Sequence, residues 1–327
     1  MHFLFRSCAP ALVFVLLWPL TAAWAQNLPQ QQAPQIRVNV SRVEVGVTVT
    51  DSHGHFIGGL QRRDFHVFDN GVEQPITDFL PIDESAQVVL LMECSPAVLF
   101  LGKSHLRTAD TFLSSLASTD RVAIACFSDV PQLFLDFTTD KLAARQALHS
   151  INFMAGSSQL NMTASIATVL DWLGSFPGKK TIVLLATGID TSPDMNSRVI
   201  QQKFQTSDVR ILAISSFGDF RKPAKRDKQS SLDRFDRAWL KQGFAQADQS
   251  LQVFSAATGG HVYFPKNATE YDRAYQEIAQ LVRHEYSLAF VPPAPDGRIH
   301  SIDVRVKHSS YRVNHRQAYL APSPDPR

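Results

Sequence analysis

Residues 87–92, Gln-Val-Val-Leu-Leu-Met, carry no charge and run into Glu93-Cys94-Ser95-Pro96-Ala97. A run of that length without polar alternation, closed by an acid and a proline, fits a strand buried on both faces, as in a parallel sheet covered by helices. In open sheets of this kind ligands sit beyond the carboxyl ends of the strands, so Glu93, Ser95 and Ala97 would face any partner on that rim.

The pattern around this run repeats. Thr181–Ala186 is a further strand of the buried type, and Arg121–Phe127, Gln132–Phe137, Val209–Ile214 and His261–Phe264 also read as strands. Between them lie stretches with helical spacing: Val98–Leu116, Lys141–Ile151, a long helix ending at Trp172, Ser197–Gln205, a long region reaching Ala257, and Thr269–Glu285. In the helix Ser231–Gln249, Phe235, Trp239, Leu240 and Phe244 share a face and are expected to pack in the core. Strands alternating with helices over residues 83–285 predict an α/β domain with a doubly wound, mainly parallel sheet.

Both flanks change to period two. Val38, Val40, Val43, Val45, Val47 and Val49 alternate, with a phase shift between Val40 and Val43 that suggests a bulge. Asp51-Ser52-His53-Gly54-His55 reads as a turn, and Phe65–Phe68 followed by Asp69-Asn70-Gly71 as a hairpin in which Gly71 supplies positive φ. At the other end Tyr286–Val291, the alternating Ile299, Ile302, Val304 and Val306, and Tyr311–Val313 are extended. Isolated hairpins are unstable, so residues 36–82 and 286–321 are expected to pair into one small β-sandwich-like module, with the α/β domain inserted in it and 322–327 left as a tail.

The amino terminus bears on location. Met1–Arg6 is short and basic, Ala9–Leu20 is almost wholly apolar, and Ala23-Trp24-Ala25 supplies the small residues that a signal peptidase reads. Residues 1–25 are thus expected to be a cleaved signal peptide that meets the membrane only in transit, followed by a disordered polar leader over 26–35. The protein is expected in the periplasm or medium. Cys8 leaves with the signal, and Cys94 and Cys126 remain near strand ends as expected buried thiols, a disulfide between neighbouring strands being the alternative.

With these elements placed, several motifs resemble a known family. Glu93-Cys94-Ser95-Pro96-Ala97 at a strand end, Ala155-Gly156-Ser157-Ser158 before a helix and Leu184-Leu185-Ala186-Thr187-Gly188-Ile189-Asp190 at another strand end are similar to von Willebrand factor type A domains. The flanking Val47–Asp51, Leu60–Gly71 and Ala257–Pro265 resemble the exported bacterial proteins related to them, abundant in acidobacteria, and the likeness covers about residues 36–321. It implies a metal-ion-dependent adhesion site on the rim, where an Asp-x-Ser-x-Ser loop, a Thr and a second Asp hold magnesium or manganese and a partner's carboxylate completes the shell.

Measured against that pattern, Glu93 replaces the first Asp, Ser95 is kept, Ala97 replaces the second Ser, Ser158 stands for the Thr, and Thr187 replaces the final Asp. One acid remains where two are needed, and magnesium gives up its waters reluctantly, so no tight metal is expected. The alternative is a weak, partly hydrated magnesium or manganese site built from Glu93, Ser95, Ser158 and Asp190. For Asp190 the simpler reading is a turn former or helix cap.

A basic run, Arg221-Lys222-Pro223-Ala224-Lys225-Arg226-Asp227-Lys228, follows a strand and emerges on the same rim. Lys222, Lys225, Arg226 and Lys228 are the candidate contacts for an anionic protein partner, against the plainer reading of a solvated loop. A net charge of +2 spread over 327 residues points to neither nucleic acid nor membrane. That total argues neither for nor against either one; the expectation is a protein partner, with no nucleic acid and no small-molecule cofactor.

The chain has no Gly-x-Ser-x-Gly elbow, no His-Glu-x-x-His and no phosphate-cradling loop. Its eleven histidines are scattered, the closest pair being His53 and His55 in the predicted turn. The expectation is an exported, non-catalytic protein-interaction module of the adhesion type; a metal-dependent adhesion domain is the alternative and a hydrolase the third choice.

Overall fold

The computed structural model describes residues 42–53, 55–81, 84–95, 104–152, 159–191, 198–216, 231–293 and 295–322. The chain opens with β1 (Val43–Thr50), β2 (Phe65–Asp69), β3 (Val72–Gln74) and β4 (Ile76–Leu80), then enters β5 (Ala86–Glu93). It continues through α1 (Ser104–Ser115), β6 (Arg121–Phe127), β7 (Pro131–Thr138), α2 (Lys141–Ser150), α3 (Met162–Gly174) and β8 (Lys179–Ala186). Next come α4 (Arg198–Thr206), β9 (Arg210–Ser215), α5 (Ser231–Ala257), β10 (His261–Tyr263) and α6 (Ala268–Arg283). The last strands are β11 (Glu285–Phe290), β12 (Ile299–Val306), β13 (Arg312–His315) and β14 (Ala318–Leu320).

The uncharged run is the centre of a six-stranded sheet of order β10-β9-β8-β5-β6-β7, parallel except for β7, which lies antiparallel on the edge. Alternate residues of β5 serve opposite faces. Val88, Leu90 and Met92 pack with Phe112 and Leu113 of α1 and Tyr275 and Ile278 of α6. Val89 and Leu91 pack with Ile166, Leu170 and Leu173 of α3, Phe204 of α4 and Leu251 of α5. Two apolar layers leave no polar face, which is why the run lacks alternation.

The two chain ends meet in two antiparallel sheets, β13-β1-β11-β4 and β14-β12-β2-β3. Val43, Val45, Val47 and Val49 share one face of β1 and pack with Val67, Tyr286, Leu288, Phe290, Ile302 and Val304. This is the expected sandwich of both ends flanking a mainly parallel sheet. Asn70 and Gly71, with φ of 47° and 81°, form the two-residue hairpin between β2 and β3, the positive pair such a turn requires. β4 and β14 were not foreseen. The bulge expected at Val40–Val43 lies outside the described residues in part, as do the expected signal and leader and the side chains of Phe235, Trp239 and Leu240; Phe244 is half-buried.

Cys94 and Cys126 form a disulfide, which corrects the expectation of buried thiols. β5 and β6 are neighbours in the sheet, so these strand ends lie side by side with a Cα separation of 5.7 Å, within the usual span of such a bridge. The Cys94 amide also donates to the Phe127 carbonyl at 2.7 Å.

One polar cluster sits inside the sandwich. His300 Nδ1 lies 2.8 and 3.0 Å from the Asp69 oxygens, its Nε2 lies 3.2 Å from both Asp296 oxygens, and the Tyr319 hydroxyl donates to Asp69 at 3.1 Å. Burial opposes a charge on His300, but Asp296 and Asp69 outweigh it and raise its pKa. A folded pKa above the ordinary ~6.5 means that the stabilisation is complete below about pH 6.5 and is lost as pH rises through the folded value. Denaturation midpoints measured from pH 5.5 upward should therefore fall with pH in the native protein and flatten in His300→Gln; equal slopes would refute the assignment. Among the described residues no helix is long and apolar enough to cross a membrane.

Candidate functional site

The rim at the carboxyl ends of β5 and β8 brings together Glu93, Ser95 and Thr187, all at most 2% exposed. Because β5 and β8 pair in parallel register, Thr187, the first residue after β8, falls beside the end of β5. Glu93 Oε1 accepts from the Ser95 hydroxyl at 2.6 Å. Its Oε2 accepts from the Thr187 amide at 2.7 Å and from the Thr187 hydroxyl at 2.6 Å. Burial pushes the Glu93 acid above its ordinary range, although the hydrogen bonds from Ser95 and Thr187 oppose that shift. No cationic side chain hydrogen-bonds it among the described residues; its three donors are neutral.

This donor set does not fit the magnesium or manganese site that the resemblance implies. A hard cation needs carboxylate oxygens with free lone pairs at an open position. Here the acid faces inward, both oxygens are taken, and its partner across the rim is a hydroxyl where the family places a second carboxylate. Thr187 thus acts as a donor to Glu93, a role that reading it as a lost ligand missed. An acid and a hydroxyl on adjacent strand ends are complementary to each other without an ion, but these two lie 94 positions apart, so no local pattern marks the pair.

Asp190 is directed elsewhere. Its Oδ2 accepts from the Thr163 amide at 2.7 Å, in the first turn of α3, where Asn161 as N-cap makes no side-chain hydrogen bond of its own. An acid at a helix amino terminus satisfies an orphan amide and favours the helix dipole. Thr191 adds to this tether, its hydroxyl accepting from the Leu160 amide at 2.9 Å and donating to the Leu160 carbonyl at 2.8 Å. Gly188, with φ of 84°, carries the loop so close to α5 that a Cβ there would lie 2.4 Å from the Ala247 carbonyl oxygen. Gly188, Asp190 and Thr191 are therefore held between α5 and the start of α3.

Glu93, Ser95 and Asp190 are placed in this way. Ala97, Ser158 and the basic contacts Lys222, Lys225, Arg226 and Lys228 lie outside the described residues.

No protein-family model matches the chain, and no curated protein does. Solved structures similar to it include the conserved hypothetical protein BatB from Bacteroides thetaiotaomicron, 14% identical over 61% of this chain and 100% of that one, with a TM-score of 0.42. A von Willebrand factor type A protein from Catenulispora acidiphila is 10% identical over 88% of this chain and 76% of that one, TM-score 0.45. The vWF domain of the type V pili tip protein Mfa5 from Porphyromonas gingivalis is 12% identical over 61% and 95%, TM-score 0.42.

Proposed function

We propose that this chain is an exported, non-catalytic docking module of the adhesion type, which takes a protein partner through the rim of its central sheet without a tightly held metal. The observation that carries the reading is the closed state of Glu93: it is 1% exposed and accepts three hydrogen bonds, from Ser95 and Thr187, with both of its oxygens engaged. Export is supported by the Cys94–Cys126 disulfide, since such bridges persist in oxidising compartments. With the rim acid buried and engaged by its own neighbours, Lys222, Lys225, Arg226 and Lys228 would supply the field that attracts an anionic partner directly.

Titration calorimetry with magnesium and manganese at millimolar concentration is the test. No binding heat at the rim is expected; a heat abolished by Glu93→Ala would overturn the reading and establish the metal-dependent alternative. Pull-downs from the exporting organism's envelope or medium complete it. Replacing the four basic residues with Ser should weaken capture and flatten its salt dependence, and unchanged capture would remove the basic loop from the proposal.

A further inference from the structure

The turn that follows β1 has no part in the rim. It is closed by the Asp51 amide donating to the His55 carbonyl and the Ile57 amide donating to the Val49 carbonyl, both at 2.9 Å. Beyond it, the Tyr286 hydroxyl donates to the Ile57 carbonyl at 2.9 Å and accepts from the Leu60 amide at 3.1 Å, pinning the returning strand to the sandwich. Asp51 Oδ1 accepts from the amides of His53 at 2.8 Å and His55 at 2.9 Å. One carboxylate oxygen is thus used to hold the turn, and the other, Oδ2, points at two imidazoles. His55 Nδ1 lies 3.0 Å from it and His53 Nδ1 3.8 Å.

We propose that Asp51, His53 and His55 form a binding site for one divalent transition cation of the zinc and copper class. One ligand atom from each of the three lies within 4.8 Å of the others. Zinc bonds of about 2.0–2.1 Å at tetrahedral angles place ligand atoms about 3.3 Å apart. The 3.0 and 3.8 Å separations bracket that distance, so small rotations of two exposed rings complete the set. Two imidazoles and one carboxylate match zinc and copper and do not match magnesium, which prefers an all-oxygen octahedron.

The carboxylate is prepared for this role. The His53 and His55 amides hold its Oδ1, which leaves Oδ2 directed at the two rings. Its orientation is set by those amides, as outer-shell hydrogen bonds set ligands in established metal sites. The rings of His53 and His55 are about four-fifths exposed, which leaves the remaining coordination positions to water or to a donor on another molecule. The Asp-x-His-x-His spacing is the sequence signal; among scattered histidines it reads merely as a polar turn until Asp51 is seen between the rings.

Calorimetry on the untagged mature chain at pH 7.5, with zinc and in a second series with copper(II), tests this. One equivalent of each should bind, copper more tightly, and millimolar magnesium should not compete. His55→Gln and His53→Gln should each weaken binding by more than the roughly 10–100-fold that losing an outer-shell partner costs. Nitrogen hyperfine structure in the copper spectrum should diminish in both variants. Their melting temperatures should match the native chain, because the rings are exposed, which separates loss of ligand from loss of fold. Absence of binding by either metal, or affinity unchanged in both variants, would overturn the proposal.

Discussion

Glu285→Ala is expected to destabilise the folded chain by about 3–5 kcal/mol, the range for breaking a buried ion pair from one side. Glu285 opens β11 in the sandwich and Arg210 opens β9 in the central sheet. Their charged groups lie 3.0 Å apart with side-chain exposures of 4% and 5%. Removing the carboxylate leaves a guanidinium in a low-dielectric interior with no counter-charge at that distance. Burial already pushes the Glu285 acid up against the pull of Arg210 and Lys179, so removing Arg210 instead would drive it further toward the neutral form. The double variant Arg210→Met with Glu285→Leu should recover most of the loss, because an apolar pair of similar volume avoids the desolvation cost. Urea denaturation of the three proteins measures this, and a single variant costing less than about 1 kcal/mol would show that the pair is open to water. Gly46 belongs to the same arrangement: a Cβ there would lie 1.8 Å from Glu285 Oε1, so β1 leaves the carboxylate its place.

Gly260→Ala should be comparably severe for a different reason. Gly260 precedes β10, and a Cβ on it would sit 1.8 Å from the Ile211 carbonyl oxygen and 2.7 Å from the carbonyl carbon. Backbone atoms cannot rotate away as a side chain can, so β10 must separate from β9. The cost is placed at or above the upper end of the roughly 1–3 kcal/mol typical of overpacking. Gly259 is equally confined, at φ 69° and with the Arg316 amide nitrogen 2.6 Å from its would-be Cβ. Gly243 is the matched control. It lies within α5 with nothing within 4 Å of the added atom, so alanine there should stabilise by roughly 0.5–1 kcal/mol through reduced chain entropy. A Gly260→Ala protein melting with the native chain would contradict the close approach.

Much of this fold was legible in the amino-acid order. β5, β8 and β9 have layers on both faces, so Val88–Met92, Ile182–Ala186 and Ile211–Ile214 read as apolar runs without alternation, while β1 packs on one face and alternates. Asn70-Gly71 announced its hairpin through the positive φ that few residue pairs accept. β4 and β14 escaped because they are edge strands with partly exposed residues, and β14 has three residues in all. The disulfide depends on β5 lying beside β6, which spacing does not reveal. At the rim, the loss of family ligands was readable one position at a time. The bond between Glu93 and Thr187 was not, since 94 positions separate them and only the strand order brings them together.

The sandwich draws half of its eight described strands, β11 to β14, from the last part of the chain. Val43 pairs with Phe290 and Val49 with Val313, so the valines of β1 find their partners in that sheet about 250 residues further along the sequence. Closing so long a loop is entropically slow, and meanwhile the amino-terminal strands present unpaired edges prone to self-association. The sandwich is thus a structure of long sequence separation, whereas β5, β6 and β8 of the helix-covered sheet pair across shorter stretches.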